Sequence, residues 1–189
     1  MPVVSTIKLT AQQFLAMEDS PGARLELVGG KIAVSPSPDF SHSRAEKRLS
    51  RLLLNHIVEH DLGELAGDID TIMSSYDVRR PDIIYYQKNR VLLIPSHGAL
   101  NAAPDLCVEI VSPSSGTIDR VDKFQQYAAA GIAYYWILDP AKKTIESYRL
   151  TNGRYDSTKS GRGAEVVSLP PFDDLKIPLG ELWVPEGSN

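Results

Sequence analysis

The chain of 189 residues contains one cysteine, Cys107, so no disulfide can form within it. Cys107 lies in an apolar run, where a thiol acts as a small core hydrophobe, and no neighbouring basic residues provide the setting of a reactive thiolate. No segment approaches the roughly 18 consecutive apolar residues of a membrane-spanning helix. The opening MPVVSTIKLTAQQF lacks the basic start and apolar centre of a secretory signal, so a cytoplasmic protein is expected. Positive charge is not in excess either: 20 Lys and Arg against 24 Asp and Glu leave a formal net charge of -4. This argues against a protein that coats nucleic acid through a global positive field, but not against an enzyme whose metal neutralises phosphate locally. There is no internal repeat and no low-complexity tract, and the length suits a single domain over residues 1–189.

The most informative stretch runs from Arg79 to Asp139. It contains RRPDIIYY (79–86), PDLCVEIVSPSS (104–115), TIDRVDKFQQYAAAG (117–131) and YYWILDP (134–140). The run from Asp105 to Val111 is nearly continuously apolar between its ends, the pattern of a strand covered on both faces, and Glu109 sits inside it. A buried carboxylate is costly unless it meets a cation, a metal or several donors, so Glu109 requires a partner. The two-residue period of a strand sends Asp105, Cys107, Glu109 and Val111 to one face, and Leu106, Val108 and Ile110 to the other. If the strand beginning at Asp82 lies alongside, Asp82 and Glu109 converge into a site for a hard divalent cation such as Mg2+. The same two residues also fit a structural ion pair and a turn-forming Asp after proline.

Elsewhere, Thr10 caps a short helix reaching about Met17, and Arg24–Val28, Gly29-Gly30 and Lys31–Ser35 read as a hairpin. Glu26, in its first strand, is either solvent-facing or a third acid near the metal. Asp39 or Ser41 caps a helix running to about His60, with Ala45, Leu49, Leu52, Leu53 and Ile57 as its buried stripe. Arg44, Lys47, Arg48 and Arg51 gather on another side, as a solvated face or as contacts for phosphate. His42, near the start of this helix, is either a surface residue or directed to the site. Residues 87–103 read as a long surface loop able to cover a groove. The helix after Thr117 carries Val121, Phe124 and Ala128 as its packing stripe, with Asp119, Lys123 and Tyr127 at successive i,i+4 positions beside it. There Asp119 and Lys123 form an exposed ion pair, or Lys123 leans over the carboxylates. From Tyr134 onward the chain reads as strands.

Taken in order, these residues resemble the PD-(D/E)XK nuclease superfamily and, more narrowly, the bacterial Uma-two family of endonucleases. The resemblance covers roughly residues 10–150. It rests on E-L-x-x-G at Glu26 to Gly30, S-P followed by His42, R-P-D at Arg80 to Asp82, P-D-L-x-V-E-I-x-S-P-S at Pro104 to Ser114, D-x-x-x-K-x-x-x-Y at Asp119 to Tyr127, and Y-W-x-x-D at Tyr135 to Asp139. It implies an α/β (α+β) domain of restriction-endonuclease-like type, a central mixed β-sheet flanked by helices. It also implies that Asp82 and Glu109 ligate Mg2+, with Mn2+ as a substitute, in a phosphodiesterase site. The superfamily lysine two residues after the acid is Val111 here, so the resemblance gives the lysine role to Lys123. Glu26 joins as a further acid, His42 as a polar contact, and Asp119 as a neighbour of the site; Asp105 is the rival of Glu109 as second ligand.

The resulting expectation is a Mg2+-dependent endonuclease acting on DNA, functioning as a homodimer because two strands are readily cut by two sites related by a two-fold axis. Two alternatives accompany it. One is a catalytically silent module of nuclease type that binds nucleic acid or protein; the other is a glycosidase using Asp82 and Glu109 as acid and base.

Overall fold

The computed structural model describes residues 8–17, 24–35, 37–111 and 119–185. Among the described residues three helices and twelve strands follow one another, with short helical turns between. Helix α1 (Ala11–Leu15) starts with a capping box, in which the Thr10 side chain accepts from the Gln13 amide and the Gln13 side chain accepts from the Thr10 amide. Strands β1 (Arg24–Val28) and β2 (Lys31–Ser35) pair across Gly29 and Gly30, whose φ angles of 56° and 81° are those of a tight two-residue hairpin turn. Helix α2 (Phe40–Glu59) is capped by Asp39 and buries Ala45, Leu49, Leu53 and Ile57, the expected stripe; Leu52 lies at its half-buried margin.

The central sheet has the order β10-β9-β8-β7-β6-β3. Its members are β3 (Gly63–Ala66), β6 (Ile83–Gln87), β7 (Leu106–Ile110), β8 (Tyr134–Asp139), β9 (Thr144–Thr151) and β10 (Arg154–Arg162). Only β7 and β8 pair in parallel within it, so the sheet is mixed. The parallel step needs a crossover, and helix α3 (Phe124–Ala129) lies on that connection. All five residues of β7 are buried, as expected for a strand covered on both faces. Leu106, Val108 and Ile110 pack with α2 on one side, while Cys107 and Val111 pack with Tyr127, Tyr135 and Ile137 on the other. Burial and the nearby Glu109 charge push the Cys107 thiol well above its usual pKa, so it is an inert core thiol.

A second sheet, β2-β1-β5-β4, adds β4 (Thr71–Ser74) and β5 (Asp77–Arg79), and α1 covers one of its faces through Phe14, Leu27 and Val78. Strands β11 (Val166–Leu169) and β12 (Phe172–Pro178) form a separate pair that joins the α2 side of the main core. The architecture is therefore α+β, with a mixed central sheet flanked by helices.

One expectation is corrected. Val121 is 48% exposed rather than part of the packing stripe, because residues Asp119–Lys123 form a π-helical turn. The wider turn takes Val121 out of line with Phe124 and Ala128, while Lys123 stays four residues from the buried Tyr127. The loop over residues 87–103 contains a 3-10 turn (Lys88–Leu93) and is anchored at its second half: Leu100 exchanges backbone bonds with Asp70 and Ile72, and the Arg90 side chain donates to the Ala103 carbonyl. Strands β5 and β12 have no alternating pattern in the sequence, one being three residues long and the other carrying adjacent Asp173 and Asp174.

Candidate functional site

The pairing of Ile83 with Val108 and of Ile84 with Cys107, extended by one residue, sets Asp82 directly across from Glu109. Opposed residues on neighbouring strands share a face and stand about 4.5–5.5 Å apart at Cβ. Both carboxylates are buried, Asp82 at 7% exposure and Glu109 at 2%. The Ile110 amide donates to Asp82 Oδ2 at 2.7 Å, locking the carboxylate against the strand that bears Glu109.

Glu109 has the cation and the donor that its burial requires. Lys123 Nζ lies 2.6 Å from Oε2, and the Tyr127 hydroxyl donates to Oε1 at 2.5 Å. The four-residue spacing of Lys123 and Tyr127 places both on the inner face of the crossover helix, directly over β7. Lys123 is itself 8% exposed, so the alternative of an exposed Asp119–Lys123 pair does not describe it. Burial, followed by the charge on Glu109, pushes the Tyr127 hydroxyl well above its usual pKa, which keeps it a proton donor.

The other oxygen of Asp82 faces His42 Nε2 at 3.3 Å and Arg24 Nη1 at 3.5 Å. Arg24 also donates to the Arg80 carbonyl at 2.5 Å and pairs with Asp68 at 3.1 Å, so β1 is tied to the turn that presents Asp82. On the far side of that turn, a Cβ added at Gly67 would stand 2.1 Å from the Asp82 carbonyl oxygen. Only glycine permits that approach. Gly67→Ala is accordingly expected to cost about 1–3 kcal/mol and to displace Asp82. A denaturant melt and the loss of any Asp82-dependent activity check this together.

Burial raises the Asp82 carboxyl pKa, but the His42 hydrogen bond and charge, the Ile110 amide and Lys123 outweigh it and leave the pKa below the usual value. Burial likewise lowers His42, and the Asp82 hydrogen bond and charge carry it above its usual value. The stability that Asp82 contributes is present above its unfolded pKa, about 3.9, and is lost as pH falls through the lower folded value. The His42 contribution is complete below its unfolded pKa, about 6.5, and is lost as pH rises through the higher folded value. Urea unfolding across pH is expected to show both slopes from this pair. His42→Gln should remove the decline on the alkaline side, and an unchanged alkaline slope in that variant contradicts the assignment.

Glu26 is 4% exposed, which overturns its solvent-facing alternative. Its Oε2 accepts from Arg79 Nη1 at 2.9 Å and its Oε1 from the Arg80 amide at 3.0 Å. Burial raises its pKa, while the charges of Lys123 and Arg79 and these two bonds bring it below the usual carboxylate value. Arg79 continues the network by donating from Nε to Gln126 Oε1 at 2.7 Å, and Gln126 Nε2 donates to Asp77 at 3.0 Å. The small sheet is thereby fastened to the helix that presents Tyr127.

Asp82, Glu109, Lys123, Glu26 and His42 are thus gathered at one end of the central sheet. Asp105 is not among them. It lies four residues, or about 13 Å of strand, from Glu109, and it is held by Arg90 Nη1 at 2.7 Å and the Gln87 amide at 2.9 Å. Two-residue periodicity gives the face of a side chain but not its distance along the strand. The Asp119 side chain lies outside the described residues. Three participants had no role assigned from sequence: Tyr127, Arg24 and Arg79. The i,i+4 spacing of Tyr127 from Lys123 was a usable signal for the first. Of the basic face on α2, Arg44 Nε donates to the Trp183 carbonyl at 2.9 Å and Arg51 lies 3.6 Å from Glu181, so it partly serves the C-terminal segment of the same chain.

The oxygens of Asp82 and Glu109 are hard donors suited to Mg2+. Among the described residues no group of three or more His, Cys, Asp or Glu side chains converges on one point. The protein would therefore offer two carboxylates and leave the other positions to water and phosphate oxygens, the ligation common for Mg2+.

The family model described as "Putative restriction endonuclease", named Uma2, matches residues 11–180. The chain belongs to the Uma2 family. A relative, the uncharacterized protein sll1609 of Synechocystis sp., is 27% identical over 157 residues, covering 82% of this chain and 88% of that protein. Among solved structures, one described as "a putative nuclease belonging to DUF820" from Anabaena variabilis superposes with a TM-score of 0.77 at 19% identity, over 92% of this chain and 97% of that one. At that identity the likeness establishes a shared fold. Uma2 membership and this fold together place the chain among restriction-endonuclease-like proteins. Among the described residues no helix is long and apolar enough to cross a membrane.

Proposed function

We propose that this Uma2 protein is a nuclease that hydrolyses phosphodiester bonds of DNA with Mg2+ or Mn2+ held by Asp82 and Glu109. The observation that supports this most strongly is the opposed, buried pair Asp82 and Glu109, with Lys123 Nζ 2.6 Å from Glu109. Two acids buried side by side repel one another, a cost that a bound cation would offset. When bound, the divalent ion polarises the scissile phosphate and lowers the pKa of a water. Lys123 would turn from Glu109 towards the phosphate and meet the negative charge that develops there. Tyr127 holds Glu109 in place during that exchange, and His42 and Arg24 do the same for Asp82. Glu26 acts by pairing with Arg79 and so fixing the Arg80-Pro81-Asp82 turn. A homodimer would present two such sites related by a two-fold axis.

The fact that every oxygen of Asp82 and Glu109 already has a protein partner favours a second reading, a catalytically silent nucleic-acid-binding module. Incubation of supercoiled plasmid, linear DNA and RNA with Mg2+, Mn2+ or EDTA separates the two. Metal-dependent cleavage of DNA supports the nuclease. Binding without cleavage under all conditions supports the silent module and sinks the enzyme.

A further inference from the structure

Between α2 and the end of β3 runs a groove of about 680 Å3 that opens onto Asp82. One wall comes from α2 with His42, Lys47, Ser50, Arg51, Leu54 and Asn55, and the other from Leu65, Ala66, Gly67 and Asp68. Two of the buried side-chain nitrogens without a hydrogen-bond partner among the described residues, Arg24 Nε and His42 Nδ1, belong to residues of this lining. We propose that the groove receives an unpaired nucleic-acid strand, seating a base beside the phosphodiester presented to Asp82. This inference rests on the nuclease reading and names the substrate form that reading leaves open.

Three features argue for an unpaired strand over a duplex. The groove combines an apolar surface at Leu54 and Leu65 with hydrogen-bonding side chains at Ser50 and Asn55. Such a mixture packs against a base face and reads its edge, and in a duplex the faces are stacked out of reach. The cations are few: Lys47 and Arg51 stand four residues apart on α2, and Arg24 lies at the Asp82 end. Lys47 and Arg51 pair with Glu46 and Glu181 at 3.4 and 3.6 Å through exposed cationic ends, so these pairs exchange readily for phosphate. A row of this kind follows one backbone, and the net charge of -4 provides no broad field for two. The volume is also that of a pocket for a small ligand, about 300–1,000 Å3, rather than of a channel for a double helix. An unpaired strand needs one site only, so this inference does not require the homodimer.

The test measures fluorescence anisotropy of a short unpaired DNA oligonucleotide and of the duplex of the same sequence, in EDTA and in Mg2+. It compares wild type with Asn55→Trp and Ala66→Trp, substitutions at exposed positions that fill the groove and leave Asp82, Glu109 and Lys123 intact. The unpaired strand is expected to bind at least about tenfold more tightly than the duplex, and each groove-filling variant to lose about tenfold for the unpaired strand alone. Equal or tighter binding of the duplex, or groove-filled variants that bind like the wild type, overturns the proposal. Cleavage is scored separately. Groove-dependent binding without cutting upholds the groove and removes the nuclease, whereas cutting that is indifferent to both tryptophans removes the groove and leaves the nuclease.

Discussion

Lys123→Met is expected to lower metal-dependent cleavage by about 10²–10³-fold, the usual effect of removing a preorganised donor from the site of developing charge. Asp82→Ala and Glu109→Ala should reduce cleavage to background, because each removes one of the two carboxylates available to the ion. The Lys123 variant has a second effect that the geometry predicts. Glu109 would keep the Tyr127 hydroxyl but lose the Lys123 ammonium, and removing a neighbouring positive charge makes a carboxylate take up a proton more readily. Part of the lost activity should therefore return as pH rises and Glu109 ionises again. A deficit that is the same at all pH values confines Lys123 to the substrate, and a Lys123→Met enzyme that cuts like the wild type removes it from the mechanism. Circular dichroism and denaturant melts of each variant separate loss of chemistry from loss of fold.

Arg79→Met is expected to destabilise the protein by about 3–5 kcal/mol, the cost of breaking a buried ion pair by deleting one partner. Arg79 is 2% exposed and Glu26 4%, so neither finds water when the other is removed. The double substitution Glu26→Gln with Arg79→Met leaves no unpaired buried charge and should recover much of the loss. Urea unfolding of the two single variants and the double variant measures this. A destabilisation of Arg79→Met below about 1 kcal/mol would place the pair in the class of weakly contributing surface bridges and contradict the account. Because Arg79 also donates to Gln126, one residue before Tyr127, the variant loosens the helix over Glu109 as well as the turn at Asp82. Reduced activity should therefore accompany reduced stability.

Glu109 could be identified from sequence because a charged residue inside an apolar strand must be satisfied, and Asp82 because it opens the strand that pairs with it. Lys123 and Tyr127 share a helical face, which was visible in their spacing, but the direction of that face was not. The burial of Tyr127 in the core sets it, and the π-helical turn over Asp119–Lys123 leaves Val121 in solvent. No propensity scale marks such a turn. Asp105 satisfied the same periodic rule as Glu109 and was separated from it only by distance along the strand. Arg24 and Arg79 were hidden for a different reason. Their partners lie 58 and 53 residues away, so the ion pairs exist only once β1 and β5 are neighbours, and β5 is three residues long without an alternating pattern. The central sheet was legible because its strands are apolar or alternate; the small sheet that steadies the Asp82 turn is fixed by tertiary pairing.

Anomalous diffraction from crystals soaked in Mn2+ tests the central claim most directly. A single peak beside the carboxylates of Asp82 and Glu109, absent from Glu109→Gln crystals treated alike, is the predicted result. No peak at that position, or a peak that persists unchanged in the Glu109→Gln protein, would contradict the assignment of these two residues as the metal-binding centre of a nuclease.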